Sequence, residues 1–184
     1  PTIRQSLGVG KPRCKVRQHC ILVGELVVWN NSVQDIMPFY KIRRYVTREG
    51  RRLGCAEDSA PDPEEHLMIV FHDLLLWDDR RCIDETYTWR RQHLHDLIRP
   101  IAGRAEIGEQ TVMDLASSDG VARLACQMAF ALTQKWEGLV LKACQDPYIG
   151  VDGRMSRYVK LKKDYIPGLG DSADLVIIGG RGDP

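Results

Sequence analysis

The chain has 184 residues, 43% hydrophobic and 28% charged, with 26 Lys plus Arg against 25 Asp plus Glu. This length supports one ordinary domain with a core and excludes two large ones, and the composition is that of a soluble globular protein. A formal net charge of +1 excludes a global field that would draw in a polyanion on its own.

In chain order, Cys20 to Trp29 is an apolar, β-branched run ending at Asn30-Asn31-Ser32, which predicts a strand. Arg48 to Glu65 is rich in Arg, Gly, Asp and Pro and predicts an exposed loop. Leu67 to Trp77 is apolar on both faces, as expected of a strand inside a core. Between Trp89 and Ile101, the positions Leu94, Leu97, Ile98 and Ile101 have helical spacing, with Pro100 weakening the end. A second helix is predicted from Gly120 to about Gln134. Ser118 or Asp119 would cap it, and Val121, Leu124, Ala125, Met128 and Leu132 would form its buried stripe. Strands are expected at Gly138 to Leu141, Arg157 to Leu161 and Leu175 to Ile178, with a turn at Pro167-Gly168-Leu169-Gly170. Strands and helices do not alternate regularly, so the fold class expected is α+β, with antiparallel sheets flanked by helices.

Six cysteines without CxxC spacing, and five scattered histidines, give no zinc pattern and fit free thiols in a reducing compartment. No run approaches the roughly 20 apolar residues of a membrane span, and no signal peptide is recognisable. An intracellular chain without a membrane partner is therefore expected. Its start at Pro1 without Met leads us to expect a piece of a longer protein. The arginines gather at Arg43 to Arg52 and around Arg80, Arg81, Arg90 and Arg91, and each group taken alone fits a solvated face.

Chemistry is suggested by three segments in which charge interrupts an apolar strand: Glu25 in Leu22–Val27, Glu137 before Gly138–Leu141, and Lys160 with Lys162 in Tyr158–Lys162. Side chains two apart in a strand share a face, so Lys160 and Lys162 should point together, away from a core-facing Val159 and Leu161. Two ammonium groups on one face suit a polyphosphate. A carboxylate before an apolar strand, as at Glu137, suits magnesium, which prefers hard oxygen ligands together with water and phosphate. Glu137 and Lys142 are five residues apart, so a bend must intervene if both are to meet one ligand. Each feature alone also fits an ordinary polar face.

Taken in order, the segments resemble the ATP-dependent DNA ligases. Glu137-Gly-Leu-Val-Leu-Lys142 and Tyr158-Val-Lys-Leu-Lys-Lys-Asp-Tyr165 resemble that family's fourth and fifth nucleotidyltransferase motifs. Cys20 to Glu25 resembles the third motif, and Met68 to Asp79 the strand beside it. Gly170 to Gly179 resembles the segment leading into the oligonucleotide-binding barrel. The stretch Pro38–Arg44 and the Arg/Leu-rich helix look most like ligase-like proteins of filamentous fungi. The resemblance implies that residues 1–184 are the latter part of the adenylation domain, ending at the junction to the barrel. It implies that Glu25 contacts ribose or a metal, that Glu137 holds a metal, and that Lys142 and Lys160 contact the nucleotide phosphates, with Lys162 beside them. Lys160 and Lys162 would be the residues here with a catalytic role. It further implies ATP as co-substrate with Mg2+, and a DNA partner carrying a 5′-phosphate and a 3′-hydroxyl. A place in DNA repair, recombination or replication in the nucleus follows from the same resemblance.

The departures are specific. The position at which the family has Phe stacked on adenine is His72, which could stack there or serve as a hydrogen-bonded core histidine. Val23 stands where the third motif often has an acidic residue, and Tyr158 where tryptophan is usual. None of the eight lysines begins a Lys-x-Asp-Gly motif, whose lysine carries AMP in the family, so the segment alone is expected to be inactive. Missing strands would leave sheet edges open and stability poor. Besides a ligase, the readings held open are an inactive ligase-like module that binds nucleotide or DNA, and an RNA ligase or capping guanylyltransferase.

Overall fold

In the computed structural model, the residues described are 2–45, 47–48, 51–52, 62–134, 136–148, 158–168 and 170. The elements are a short helix α1 (Thr2–Ser6), strands β1 (Cys20–Asn30), β2 (Asp35–Ile36), β3 (Thr47–Arg48), β4 (Arg51–Arg52), β5 (Glu65–Trp77) and β6 (Arg80–Arg81), then helix α2 (Tyr87–Leu97). Strand β7 (Ala105–Ile107), helix α3 (Gly120–Thr133), and strands β8 (Gly138–Leu141) and β9 (Val159–Lys162) complete them. Single 3-10 turns lie at Phe39–Arg44, Cys82–Asp84 and Lys163–Tyr165. The α+β class expected from sequence is the class found.

The chain divides into two compact units, one made of residues 1–110 and 143–156, the other of residues 111–142 and 157–184. The first is built on β5, which pairs antiparallel along the whole of β1 and, at its end, with β6. The expected antiparallel sheet has one parallel member: β7 pairs with β5 through Ile69–Ala105, Val70–Glu106 and Phe71–Ile107. Helix α2 connects those parallel strands, because a parallel return needs a crossover rather than a hairpin. The core of this unit joins Phe71 and Leu74 of β5 to Leu94 and Leu97 of α2, with Leu7, Cys82, Ile98 and Ala105 closing it. Burying each large apolar side chain stabilises the fold by about 1.5–3 kcal/mol. In the second unit β8 and β9 form an antiparallel pair, and Met128 and Ala131 of α3 are its buried apolar residues among those described.

Several boundaries move from their expected places, each for a local reason. Helix α2 starts two residues earlier than expected because Thr86 caps it, its hydroxyl accepting from the Trp89 N–H at 3.2 Å. It ends at Leu97 rather than Ile101, since Pro100 biases Arg99 away from helical backbone and Ile98 is already extended. Strand β5 begins at Glu65, which was expected in a loop. The Glu65 carboxylate is fully buried and held by the Lys41 ammonium and the Tyr45 hydroxyl. On α3 the stripe is rotated: Val121 and Ala125 are exposed, while Gly120, Met128 and Ala131 are buried. Asp119 stands at the N-cap without capping by its side chain, which instead accepts from the Ser117 hydroxyl. Most of the loop from Arg48 onward, Arg157, and the strand expected at Leu175–Ile178 lie outside the described residues.

Candidate functional site

Two groups of candidate residues arise, one in each unit. In the first unit Glu25 lies on β1 and His72 on β5, and the ladder between those strands is irregular where it matters. Val23 pairs with Asp73 and Gly24 with Phe71, so His72 is an extra residue on β5 that the register of the ladder skips. Such a bulge breaks the alternation of faces and re-aims the side chain it contains. Gly24 is needed there, since a Cβ would stand 2.9 Å from the Val70 carbonyl oxygen. The His72 ring then comes within 3.9 Å (Nε2 to Oε2) of the Glu25 carboxylate, with 39% and 60% of the two side chains exposed. At that exposure the His72 side chain is only partly buried.

Beneath this pair the strand is anchored by two arginines of α2 that had been grouped with solvated basic residues. Arg90 is fully buried and clamps Asp73 through two bonds, Nε–Oδ1 at 2.8 Å and Nη2–Oδ2 at 3.2 Å. Such a fork-on-carboxylate contact is the strong, directional form of an ion pair. Arg91, 5% exposed, donates to the carbonyls of Gly108 (2.6 Å) and His72 (3.4 Å) and to Oε1 of Gln110 (2.9 Å). Sequence reasoning missed both roles. The available signal was spacing: Arg90 and Arg91 lie four and three residues before Leu94, and seven and six before Leu97, on the buried face of the helix.

In the second unit the β8–β9 hairpin gathers the other candidates. Val140 pairs with Lys160 and Gly138 with Lys162. Directly opposed residues share a face, so Lys160 and Lys162 project together, as expected from their spacing. Lys142, one step beyond β8 and two after Val140, joins that face and places its ammonium 4.6 Å from the centre of the Tyr158 ring. Leu139 and Leu161 occupy the other face and are half-buried. Val159, expected to face the core beside Leu161, is instead half exposed, being the first residue of its strand.

The bend that Glu137 and Lys142 require is at Gly138, whose φ is +147°. A Cβ there would lie 1.9 Å from the Leu161 carbonyl oxygen, so only glycine allows the two strands to approach in this way. The turned backbone brings Glu137 onto the lysine face, where its carboxylate accepts from Lys162 Nζ at 2.7 Å. The Lys162 hydrogen bond and charge hold the Glu137 carboxyl below its ordinary range. The same contact holds the Lys162 ammonium above its ordinary value. Glu137 is thus a carboxylate, and Lys162 a cation, throughout the neutral range.

A set of three or more His, Cys, Asp or Glu side chains able to hold a metal does not occur among the described residues. The donors present still suit magnesium in chemical type, because that ion is commonly held by one or two carboxylates plus water and phosphate rather than by an all-protein cage. Glu25 and Glu137 are such carboxylates, both largely exposed. Also among the described residues, no helix is long and apolar enough to cross a membrane.

The ATP dependent DNA ligase domain model matches residues 9–162 of the chain. Among curated relatives, DNA ligase 4 of Dictyostelium discoideum is 27% identical over 91% of this chain and 15% of its own length. DNA ligase 4 of Coprinopsis cinerea is 27% identical over 88% of the chain and 14% of its own length. DNA ligase 1 of Saccharomyces cerevisiae is 26% identical over 90% of the chain and 21% of its own length. A solved structure described as mycobacterial DNA ligase D complexed with ATP and MES covers 78% of the chain and 38% of its own, at 24% identity and a TM-score of 0.49. The chain thus spans between about a seventh and a fifth of the length of these curated relatives. The family model covers most of the chain, and the protein belongs to the ATP-dependent DNA ligase domain family.

Proposed function

We propose that this chain is the latter part of the adenylation domain of an ATP-dependent DNA ligase. The intact protein would join a 5′-phosphate to a 3′-hydroxyl through enzyme-AMP and DNA-adenylate intermediates. The observation that carries the proposal is the lysine face of the β8–β9 hairpin: Lys142, Lys160 and Lys162 side by side, with Glu137 turned onto them by Gly138. Cations fixed on one face oppose the charge of a triphosphate and lose no reorganisation energy as phosphoryl transfer develops. Lys142 and Lys160 would contact the nucleotide phosphates, with Lys162 beside them. His72 would face the base and Glu25 the ribose or a metal. Glu25 in the first unit and Glu137 in the second are each candidates to hold magnesium, which would supply further neutralisation of phosphate charge when bound. The substrates would be ATP and DNA, and the nucleus the compartment, as in a repair, recombination or replication enzyme of eukaryotic type.

None of the eight lysines in this chain begins Lys-x-Asp-Gly, so the covalent carrier of AMP is assigned to residues other than these. Incubating the intact protein with α-labelled ATP and magnesium should leave label on it after denaturation. Lys160→Ala should lower that labelling by about 100-fold or more, the loss typical of removing a group that meets developing charge, with the circular dichroism spectrum unchanged. Unchanged labelling would remove Lys160 from the site. Nucleotide binding without any label in the intact wild type would favour the inactive binding module instead. The 184-residue chain alone should take no covalent AMP.

A further inference from the structure

Arg91 presents a problem that the core does not pose. It is 5% exposed, and a guanidinium taken out of water must find acceptors for its donors. Its neighbour Arg90 finds a carboxylate, Asp73. The bonds from Arg91 run instead to neutral oxygens: the carbonyls of His72 and Gly108 and the side chain of Gln110. An apolar side chain would fill this space at less cost in desolvation. What the arginine adds is geometry, since its rigid planar fork fixes three acceptors at once.

Two of those acceptors belong to His72 itself and to Gly108, which lies against its ring. His72 is the bulged residue of β5, skipped by the register of the ladder with β1. Gly108 donates its N–H to the Phe71 carbonyl at 2.9 Å. It lies so close under the imidazole that a Cβ on it would stand 2.6 Å from His72 Nδ1. The ring therefore lies against the Gly108 backbone near Nδ1, with the Glu25 carboxylate 3.9 Å from Nε2, and Arg91 ties Gly108 to the bulge. We propose that Arg91 is the positioning residue of the nucleotide site: it locks residues 108–110 against the bulge of β5 and thereby sets the direction in which His72 meets the base of ATP. The inference rests on the reading of His72 and Glu25 as nucleotide contacts.

The test is the dependence of enzyme-AMP formation on ATP concentration in the intact protein. Arg91→Lys keeps the charge but cannot span three acceptors. It should raise the KM for ATP about tenfold while the maximal rate stays within about twofold, because a misplaced binding group weakens substrate and transition state alike. Gln110→Ala removes one of the acceptors from an exposed position, leaves the core untouched and should raise KM about threefold on the same argument. An unchanged KM in both variants, with wild-type labelling intact, would overturn the role of Arg91 and leave the ligase reading standing. A reduced fraction of labelled enzyme at unchanged KM would show a merely structural arginine and overturn it equally. A wild-type protein that takes no label would overturn both readings together.

Discussion

Asp73 and Arg90 are ions held entirely out of water, and their pairing fixes α2 against β5. The guanidinium also donates to the Glu85 carbonyl at 2.6 Å and lies 5.5 Å from the ring centres of Tyr87 and Tyr148. Arg90→Met would strand the Asp73 carboxylate in the core, and the expected cost is about 3–5 kcal/mol, read from the urea transition of the first unit. Adding Asp73→Leu should recover most of that loss, because the pair is worth little over an apolar replacement once neither charge is buried alone. Additive losses would show that the two residues act independently. At the surface, Glu137 and Lys162 behave differently. The folded Glu137 pKa is depressed, so its contribution is present above the unfolded value and is lost as pH falls through the folded one. The Lys162 pKa is raised, so its contribution is present below the ordinary lysine value and is lost as pH rises through the raised one. The pair therefore persists across the neutral range. In Lys162→Met the Glu137 carboxyl should titrate at higher pH by NMR, and an unmoved titration would show that the contact is not formed in solution.

Secondary structure was legible wherever hydrophobic period and turn chemistry agreed, as in β1, β8 and the middle of β5. It was less legible where tertiary contacts decided. Nothing in Val70-Phe71-His72-Asp73 announces a bulge, because the extra residue exists only relative to β1. The parallel strand β7 is three residues long and takes its conformation from β5, not from its own propensity. The two arginines of α2 read as solvent-facing because charge is normally exposed, and only their position three and four residues before Leu94 hinted otherwise. In the lysine face, by contrast, a period of two was enough to place Lys160 and Lys162 together, and the need for a bend before Lys142 followed from counting. Gly138 supplies that bend, which makes it the most sensitive position of the hairpin. Gly138→Ala forces a side chain into backbone at a φ of +147°. Such backbone strain alone costs of order 1–3 kcal/mol. Amide exchange of Leu139 to Leu141 and of Lys160 to Lys162 should accelerate by about tenfold or more for a cost of 1.4 kcal/mol, with exchange in β1 and β5 unaltered. Protected hairpin amides in the variant would show that Gly138 is not required.

At the scale of the molecule the two compact units are unequally provided with core. The first carries the Phe71–Leu74–Leu94–Leu97 cluster and the Asp73–Arg90 clamp, whereas among the described residues of the second Met128 and Ala131 are buried but Val121, Phe130, Trp136 and Val140 stay substantially exposed. Open edges were expected from the sequence, and β1 shows one. It pairs with β2 only at Trp29 and Asn30, leaving Cys20 to Val27 without a second strand partner among the described residues. Unfolding should therefore not be a single cooperative event, since the unit with less buried surface opens at lower denaturant. The four tryptophans make this measurable, because Trp29, Trp77 and Trp89 lie in the first unit and Trp136 in the second. Trp136 packs edge-on against Phe130 at 5.8 Å, so loss of the fold around α3 changes its surroundings directly. With fluorotryptophan incorporated, the Trp136 resonance should move to its unfolded position at a lower urea concentration than the other three. Four coincident transitions would instead show that the units stabilise each other, and the stability of the lysine face would then depend on the core around β5.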